Sequence, residues 1–362
     1  MSVREPLASL RAQFPVLDRI AYLNAGTNGP VPRAATIAAL AELEREQVDG
    51  RAGAHFARRE QLATALRAGY AARIGCASID LALTTSTTEG VARVLLALDL
   101  RAGDEVVTSD EEHPGVLGPL LAQRARGVAV RVAPWAEVAD AVGPRTRLVC
   151  CSHVSWRSGR FAPAALADVE VPVLLDGAQG AGALAVDVAA LGADAYAAAG
   201  QKWLCGPEGT GLLFVSEVLR ERLRPPAPGY LNLADPARGL DAAVHSDARA
   251  YDTPALPAAS LAHADAALDV LAAARWDALH AHAAELAATA ADALREGGRE
   301  VLPRDRTTLV SWHEPDAAAV VERLAVAGVV VRSLPGEDLV RASFGGWSSA
   351  DDLERLLAAL PR

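Results

Sequence analysis

The side chains best suited to chemistry in this sequence are one lysine and a carboxylate that precedes it. Of 35 basic residues, 34 are arginine and one is lysine, Lys202. Arginine stays protonated in proteins, whereas lysine can become a neutral amine and form a Schiff base with a carbonyl carbon. A lone survivor in an arginine-biased chain marks a place where a guanidinium would not serve; a stray surface lysine is the competing explanation. Asp176 stands 26 residues earlier, at the end of the apolar run Val171-Pro-Val-Leu-Leu175. A carboxylate there is partly desolvated and wants a cationic partner, although Asp also commonly closes the turn after a strand.

Three further segments bear on the same chemistry. Thr84-Thr-Ser-Thr-Thr-Glu-Gly90 lies between an apolar strand and a helix. Free N–H groups and hydroxyls at a helix start suit a phosphate, and the same residues make an ordinary capping box. Lys202 sits in Gly200-Gln-Lys-Trp-Leu-Cys-Gly-Pro-Glu-Gly-Thr-Gly211, whose glycines permit tight turns and close backbone approach. Gly177-Ala-Gln-Gly-Ala-Gly182 has the spacing G-x-x-G-x-G. A dinucleotide fingerprint needs G-x-G-x-x-G, which argues against a nicotinamide enzyme. Cys150, Cys151 and His153 lack the paired spacings of a structural zinc site and read as a buried strand with small apolar cysteines; no metal is expected.

The elements that must hold these residues are legible in outline. Helix-length segments at 32–49, 58–74, 91–98 and after Pro114 alternate with short apolar runs at 79–83, 105–108, 128–132, 148–151, 171–175, 193–198 and 211–215. Such strands indicate an α/β fold with a mostly parallel sheet covered on both faces. Past Pro254 come Ala-rich helices over 256–274 and 276–296, then strands at 307–312, 329–332 and 339–343 and a helix near 349–360. The reading is a large α/β domain over 15–255 and a smaller α+β domain over 256–362, with residues 1–14 packed on the smaller one.

Composition narrows the partners. The 362 residues are 51% hydrophobic and carry a net charge of −10, which suits a soluble globular protein and disfavours disorder. An acidic balance without a basic stripe disfavours nucleic acid. No apolar run fits a signal peptide or a membrane span, and four cysteines make no disulfide framework; a cytoplasmic setting is expected.

Taken together, these residues resemble the fold-type I pyridoxal-phosphate enzymes, in particular the class V aminotransferase and cysteine desulfurase family. The resemblance runs from Leu23-Asn-Ala-Gly-Thr-Asn-Gly-Pro-Val-Pro32 to Val340-Arg-Ala-Ser-Phe344, with phosphate loop, His113, Asp-x-x-Gln, Lys and Arg in the family's order. It implies pyridoxal 5′-phosphate as cofactor. Lys202 would hold it as a Schiff base and act as base and acid at the substrate α-carbon. Asp176 would keep its ring nitrogen protonated. Gln179 and Ser155 would lie beside its phenolic oxygen, and His113 would stack on its ring. Thr87 and Thr88 would bind its phosphate. Thr253, in Tyr251-Asp-Thr-Pro254, matches a residue that relatives lend across a dimer interface, which implies a homodimer with shared sites. Arg341 would clamp the substrate α-carboxylate, Asn24 would face substrate, and Trp156 would wall its pocket or simply pack in the core.

Departures from the family narrow the reaction. Gln201 replaces a His before the lysine, and Ala199 a phosphate-binding Ser. Desulfurases carry a nucleophilic Cys shortly before the carboxylate-binding Arg, and no cysteine follows Cys205 here. A persulfide relay therefore lacks its thiolate. The sequence is most similar to the cysteine/cystine C–S lyase branch, which implies β-elimination from cysteine, cystine or a related S-substituted amino acid. A class V aminotransferase or epimerase is the alternative within the fold, and a non-catalytic binding protein the alternative outside enzymes. His55, Arg157 and Arg160, in loops that would set specificity, could meet a distal carboxylate of a substrate or be solvated, and are read as solvated.

Overall fold

The structure, a computed structural model, describes residues 4–360. Its centre is a seven-stranded sheet: β1 (Leu81–Thr84), β2 (Glu105–Ser109), β3 (Ala129–Ala133), β4 (Thr146–Ser152), β5 (Val173–Asp176), β6 (Ala195–Ala199) and β7 (Gly211–Val215). The order is β1-β7-β6-β5-β4-β2-β3, with β7 alone running against the others. Strands buried on both faces must be apolar at every position, and the side chains divide accordingly. Leu81, Leu83, Val149, Cys151, Val173 and Leu175 enter the core beneath helices Gly53–Ile74 and Ala258–Ala273. Ala82, Leu148, Cys150 and Leu174 enter the opposite core, with Val91 and Val94 of Thr87–Ala97 and Val116 and Leu120 of Pro114–Ala125. The two cysteines thus serve as strand residues, and His153 bonds Tyr196 Oη through Nδ1 at 3.1 Å.

Strands sharing one direction deliver their last residues to one edge. Ser109, Ser152, Asp176 and Ala199 end β2, β4, β5 and β6 there, and Thr84 ends β1 beside them. That carboxyl edge is where open α/β sheets bind ligands.

A smaller antiparallel sheet follows, β8 (Leu309–His313), β9 (Arg332–Ser333) and β10 (Leu339–Ser343), in the order β9-β10-β8. The strand expected over 329–332 is split. Val329–Val330 pairs in parallel with Ala21–Tyr22, and after Val331 the chain joins the antiparallel sheet. The early chain therefore docks on the late chain. Arg11 reaches Asp352 at 2.6 Å, and Phe14 packs 5.3 Å from Trp347; the first three residues of the 1–14 segment lie outside the described residues. Packing also crosses the boundary near 255, because helix Ala258–Ala273 shares the core of the large sheet.

Candidate active site

Lys202 emerges from a tight turn after β6. Gly206 N donates to Gly200 O at 2.9 Å and Cys205 N to Lys202 O at 3.2 Å, with Cys205 in the left-handed region at φ 54°. A second loop seals against this turn: Gly29 N donates to Gln201 O at 2.7 Å. A Cβ at Gly29 would stand 2.0 Å from the Lys202 carbonyl oxygen, so only glycine permits the approach. The half-buried amine makes no hydrogen bond or ion pair among the described residues. Burial pushes its pKa down to about 8, Arg341 and Arg332 push the same way, and Asp176 opposes them. The turn thus holds an amine poised to lose its proton near neutral pH.

Asp176 is buried at the end of β5, where Oδ1 accepts from Ala178 N at 2.8 Å. Burial raises its pKa and Lys202 lowers it, and no ion pair neutralises it among the described residues. Gln179 is fixed at both ends of its amide: Nε2 donates to Gly26 O at 2.9 Å, and Oε1 accepts from Trp203 Nε1 at 3.0 Å. Because an indole only donates, this pair sets the amide orientation and leaves one Nε2 hydrogen free. His113 caps helix Pro114–Ala125, its Nδ1 accepting from Gly115 N at 3.0 Å. The neutral ring therefore carries its proton on Nε2. Burial first, then Lys202, lowers its pKa to about 4, which keeps it uncharged. Trp156 meets it edge to face at 5.1 Å.

At the start of helix Thr87–Ala97 the hydroxyl-rich segment supplies the helix cap and leaves one hydroxyl unengaged. Ser86 caps the helix by accepting from Glu89 N at 3.1 Å, and Glu89 accepts from Thr85 N at 2.6 Å. Thr87, relieved of capping, has a buried Oγ1 without a partner, and Thr88 is exposed. Thr253 N donates to Leu83 O at 2.8 Å, which sets it beside β1 of its own chain. The Ser155 hydroxyl is engaged within the protein: it donates to Glu111 and accepts from Arg157 N and Ser158 N.

Arg341, on β10, is only 1% exposed. Nη1 donates to Trp156 O at 2.8 Å, while Nε and Nη2 have no partner. Burial first, then Arg332, lowers its pKa to about 9. Asn24 accepts from Thr27 Oγ1 at 2.8 Å through Oδ1 and bridges Ser343 through its backbone. Arg157 and Arg160, expected to be solvated, are instead ion-paired, Arg157 with Glu337 at 2.6 Å and Arg160 with Glu111 at 2.5 Å. His55 lies 3.8 Å from Glu46.

Sequence reasoning missed three residues here. Arg332 sits opposite Arg341 across β9 and β10; it donates to Thr27 Oγ1 at 3.2 Å and has no carboxylate partner among the described residues. The acidic pair before His113 was visible, but its two members divide. Glu111 ties the 155–160 loop. Glu112 turns inward, accepting from Ser109 Oγ at 2.5 Å, Ser152 N at 2.9 Å and Ser152 Oγ at 2.7 Å. Burial, reinforced by Asp176, raises the Glu112 pKa to about 7.

The donor set fits pyridoxal phosphate. An uncompensated buried carboxylate suits a protonated ring nitrogen, the unpartnered amine suits its carbonyl carbon, and the unpartnered Thr87 hydroxyl at a helix N-terminus suits its phosphate. Cys205, the cysteine nearest Lys202 in sequence, is buried with its thiol held well above the ordinary range by desolvation.

The chain is 33% identical over 238 residues to a probable cysteine desulfurase of Methanothermobacter thermautotrophicus, covering 60% of this chain and 58% of that protein. It is 32% identical over 229 residues to isopenicillin N epimerase of Streptomyces clavuligerus, covering 57% and 56%. In both, the chain spans under two thirds of the relative's length. The solved complex of the cystine C–S lyase C-DES with its reaction product cysteine persulfide superposes with a TM-score of 0.89 at 28% identity, covering 96% of this chain and 98% of that one. The family model for class-V aminotransferases matches residues 21–356, from the strand that docks on the small sheet to the closing helix, and the chain belongs to that family.

Proposed function

We propose that this protein is a pyridoxal-phosphate-dependent C–S lyase that eliminates the β-sulfur substituent of cysteine, cystine or a related amino acid. The observation that carries the reading is the pairing of an uncharged-capable amine, Lys202, with two guanidinium groups, Arg341 and Arg332, that have no carboxylate of their own among the described residues. When bound, the cofactor supplies an electron sink for a carbanion at the substrate α-carbon. Asp176 holds the proton on the ring nitrogen, and Gln179 offers its remaining Nε2 hydrogen to the phenolic oxygen. Thr87 and Thr88 would bind the phosphate, and Thr253 would reach the phosphate of the partner subunit. His113, neutral and braced by Trp156, covers the ring without adding charge. Arg341 takes the substrate carboxylate through Nε and Nη2. Lys202 Nζ removes the α-proton, and the sulfur leaves from Cβ with the bonding pair. Pyruvate and ammonia follow by hydrolysis.

Arg332 favours a substrate with a second anionic group, as in cystine. The similarity to nearly the whole solved chain of a cystine C–S lyase and the burial of Cys205 support elimination over a cysteine-dependent sulfur relay. We further propose the division into domains 15–255 and 256–362, a homodimer with shared sites, and a cytoplasmic setting. Exposed Ile37, Leu40 and Leu43, at helical spacing on Arg33–Asp49, support the dimer, and four free cysteines support the compartment. No described helix is long and apolar enough to cross a membrane.

The test is to incubate the cofactor-loaded protein with an amino-acid panel and assay sulfide, pyruvate and keto acids in parallel. Pyruvate from cystine supports the lyase. Amino transfer to an added keto acid, or racemised substrate without pyruvate, sinks it in favour of an aminotransferase or epimerase. A protein that stays colourless with the cofactor sinks enzymatic activity altogether.

A further inference from the structure

We propose that the Ser343 hydroxyl is a substrate-binding group that donates a hydrogen bond to the carboxylate held by Arg341. This rests on the reading that an amino acid occupies the site, and adds a specificity residue to it.

Ser343 closes β10 two residues after Arg341, so both side chains leave the same face of the strand. Its backbone is fixed by Ser343 N donating to Leu23 O at 2.8 Å, and the residue is 0% exposed. Its Oγ nevertheless has no hydrogen-bond partner, and Nη2 and Nε of Arg341 share that condition. Buried polar atoms are ordinarily satisfied, so three orphans together mark a place for a polar ligand.

Gly26 shows how closely two of them converge. A Cβ there would stand 2.8 Å from Arg341 Nη2 and 2.8 Å from Ser343 Oγ. The two donors are thus no more than twice that distance apart, within the span of one bridging carboxylate. The third atom near that point, Gln179 Oε1, is an acceptor already satisfied by Trp203. A carboxylate offers about four lone-pair sites. The guanidinium fills two from one side, and a neutral hydroxyl can fill a third without deepening the charge repulsion between Arg341 and Arg332. A glycine at 26 keeps the loop backbone clear of this cradle.

The test is equilibrium titration of the cofactor-loaded protein, read by cofactor absorbance. The probes are L-alanine, which has no β-leaving group to lose, and ethylamine, the same amine without its carboxylate. Ser343→Ala should weaken L-alanine binding about 10- to 150-fold, in line with loss of a hydrogen bond to a charged group, and leave the amine unchanged. In turnover it should raise KM more than it lowers kcat. Gly26→Ala, whose methyl enters the cradle, should abolish the preference for the acid over the amine. Equal affinity of wild type and Ser343→Ala for the acid, or equal losses for acid and amine, would overturn the assignment. If the affinity split appears and no pyruvate forms, the lyase reading alone fails. If pyruvate forms and the split is absent, Ser343 alone is excluded.

Discussion

Arg332 and Arg341 face one another in register across β9 and β10, two guanidinium groups with no carboxylate paired to either among the described residues. Like charges set opposite on neighbouring strands cost stability, of order 0.2–1 kcal/mol. Such a pair is retained where an anion belongs between or beside its members. Arg332→Met should therefore melt at the same temperature as wild type or slightly higher. It should raise KM about tenfold or more for cystine, with its second carboxylate, and scarcely change KM for S-methylcysteine. Melting curves and parallel kinetics check this; equal losses for both substrates would remove Arg332 from the distal group.

Lys202→Arg keeps the charge and removes the removable proton. The variant should fold, show no borohydride-trapped adduct with the cofactor, and lose activity by about three orders of magnitude or more, the scale of a missing acid–base group. Mass spectrometry after reduction and assay of pyruvate decide it. Residual turnover near the wild-type rate would end the present reading.

The pH dependence of Lys202 has a definite sign in the cofactor-free protein. Its folded pKa of about 8 lies below the ordinary 10.5, so between those values the unfolded chain binds more protons. This residue's contribution to stability accordingly rises as pH climbs from about 8 to about 10.5. The measurable counterpart is reactivity: acylation of Lys202 should switch on around pH 8. A midpoint near 10.5 would mean the amine is solvated.

Glu112 has the opposite sign. With a folded pKa raised from 4.5 to about 7, its contribution is fully present below 4.5 and is lost as pH rises through 7. Glu112→Gln mimics the protonated form and can keep the bonds to Ser109 and Ser152. It should unfold at a higher temperature than wild type at pH 8, with the gap closing toward pH 4.5. Melts across that range test it, and a gap independent of pH would show that charge is not the cause.

The proposed dimer predicts a mass near twice that of the chain by light scattering. Leu40→Glu, which places a charge in the exposed apolar stripe of Arg33–Asp49, should shift the molecule toward monomer and reduce activity with it. An unchanged mass would move the interface elsewhere.

The parts of this site that could be read from sequence are those with local causes. A strand must be apolar where both faces are covered, so the polar residue ending it is visible; Asp176 stands out for that reason, and Lys202 because it is the one lysine in the sequence, inside a turn written in glycines. Arg332 stayed hidden among 34 arginines, because only its register opposite Arg341 distinguishes it. Glu112 stayed hidden because two adjacent glutamates look alike until the backbone sends one to Ser152 and the other to Arg160. The split at Val331 escaped notice because a continuous apolar strand and two short ones in different sheets share the same pattern.

An early and a late segment of the chain meet two residues from Arg341, through Ser343 N to Leu23 O at 2.8 Å and the Asn24–Ser343 bridge. During synthesis Lys202, Asp176 and helix Thr87–Ala97 all leave the ribosome well before β10 exists. A nascent or truncated chain therefore carries the reactive amine before Arg341 and Ser343 are in place, and the site is completed only once this late strand has been made.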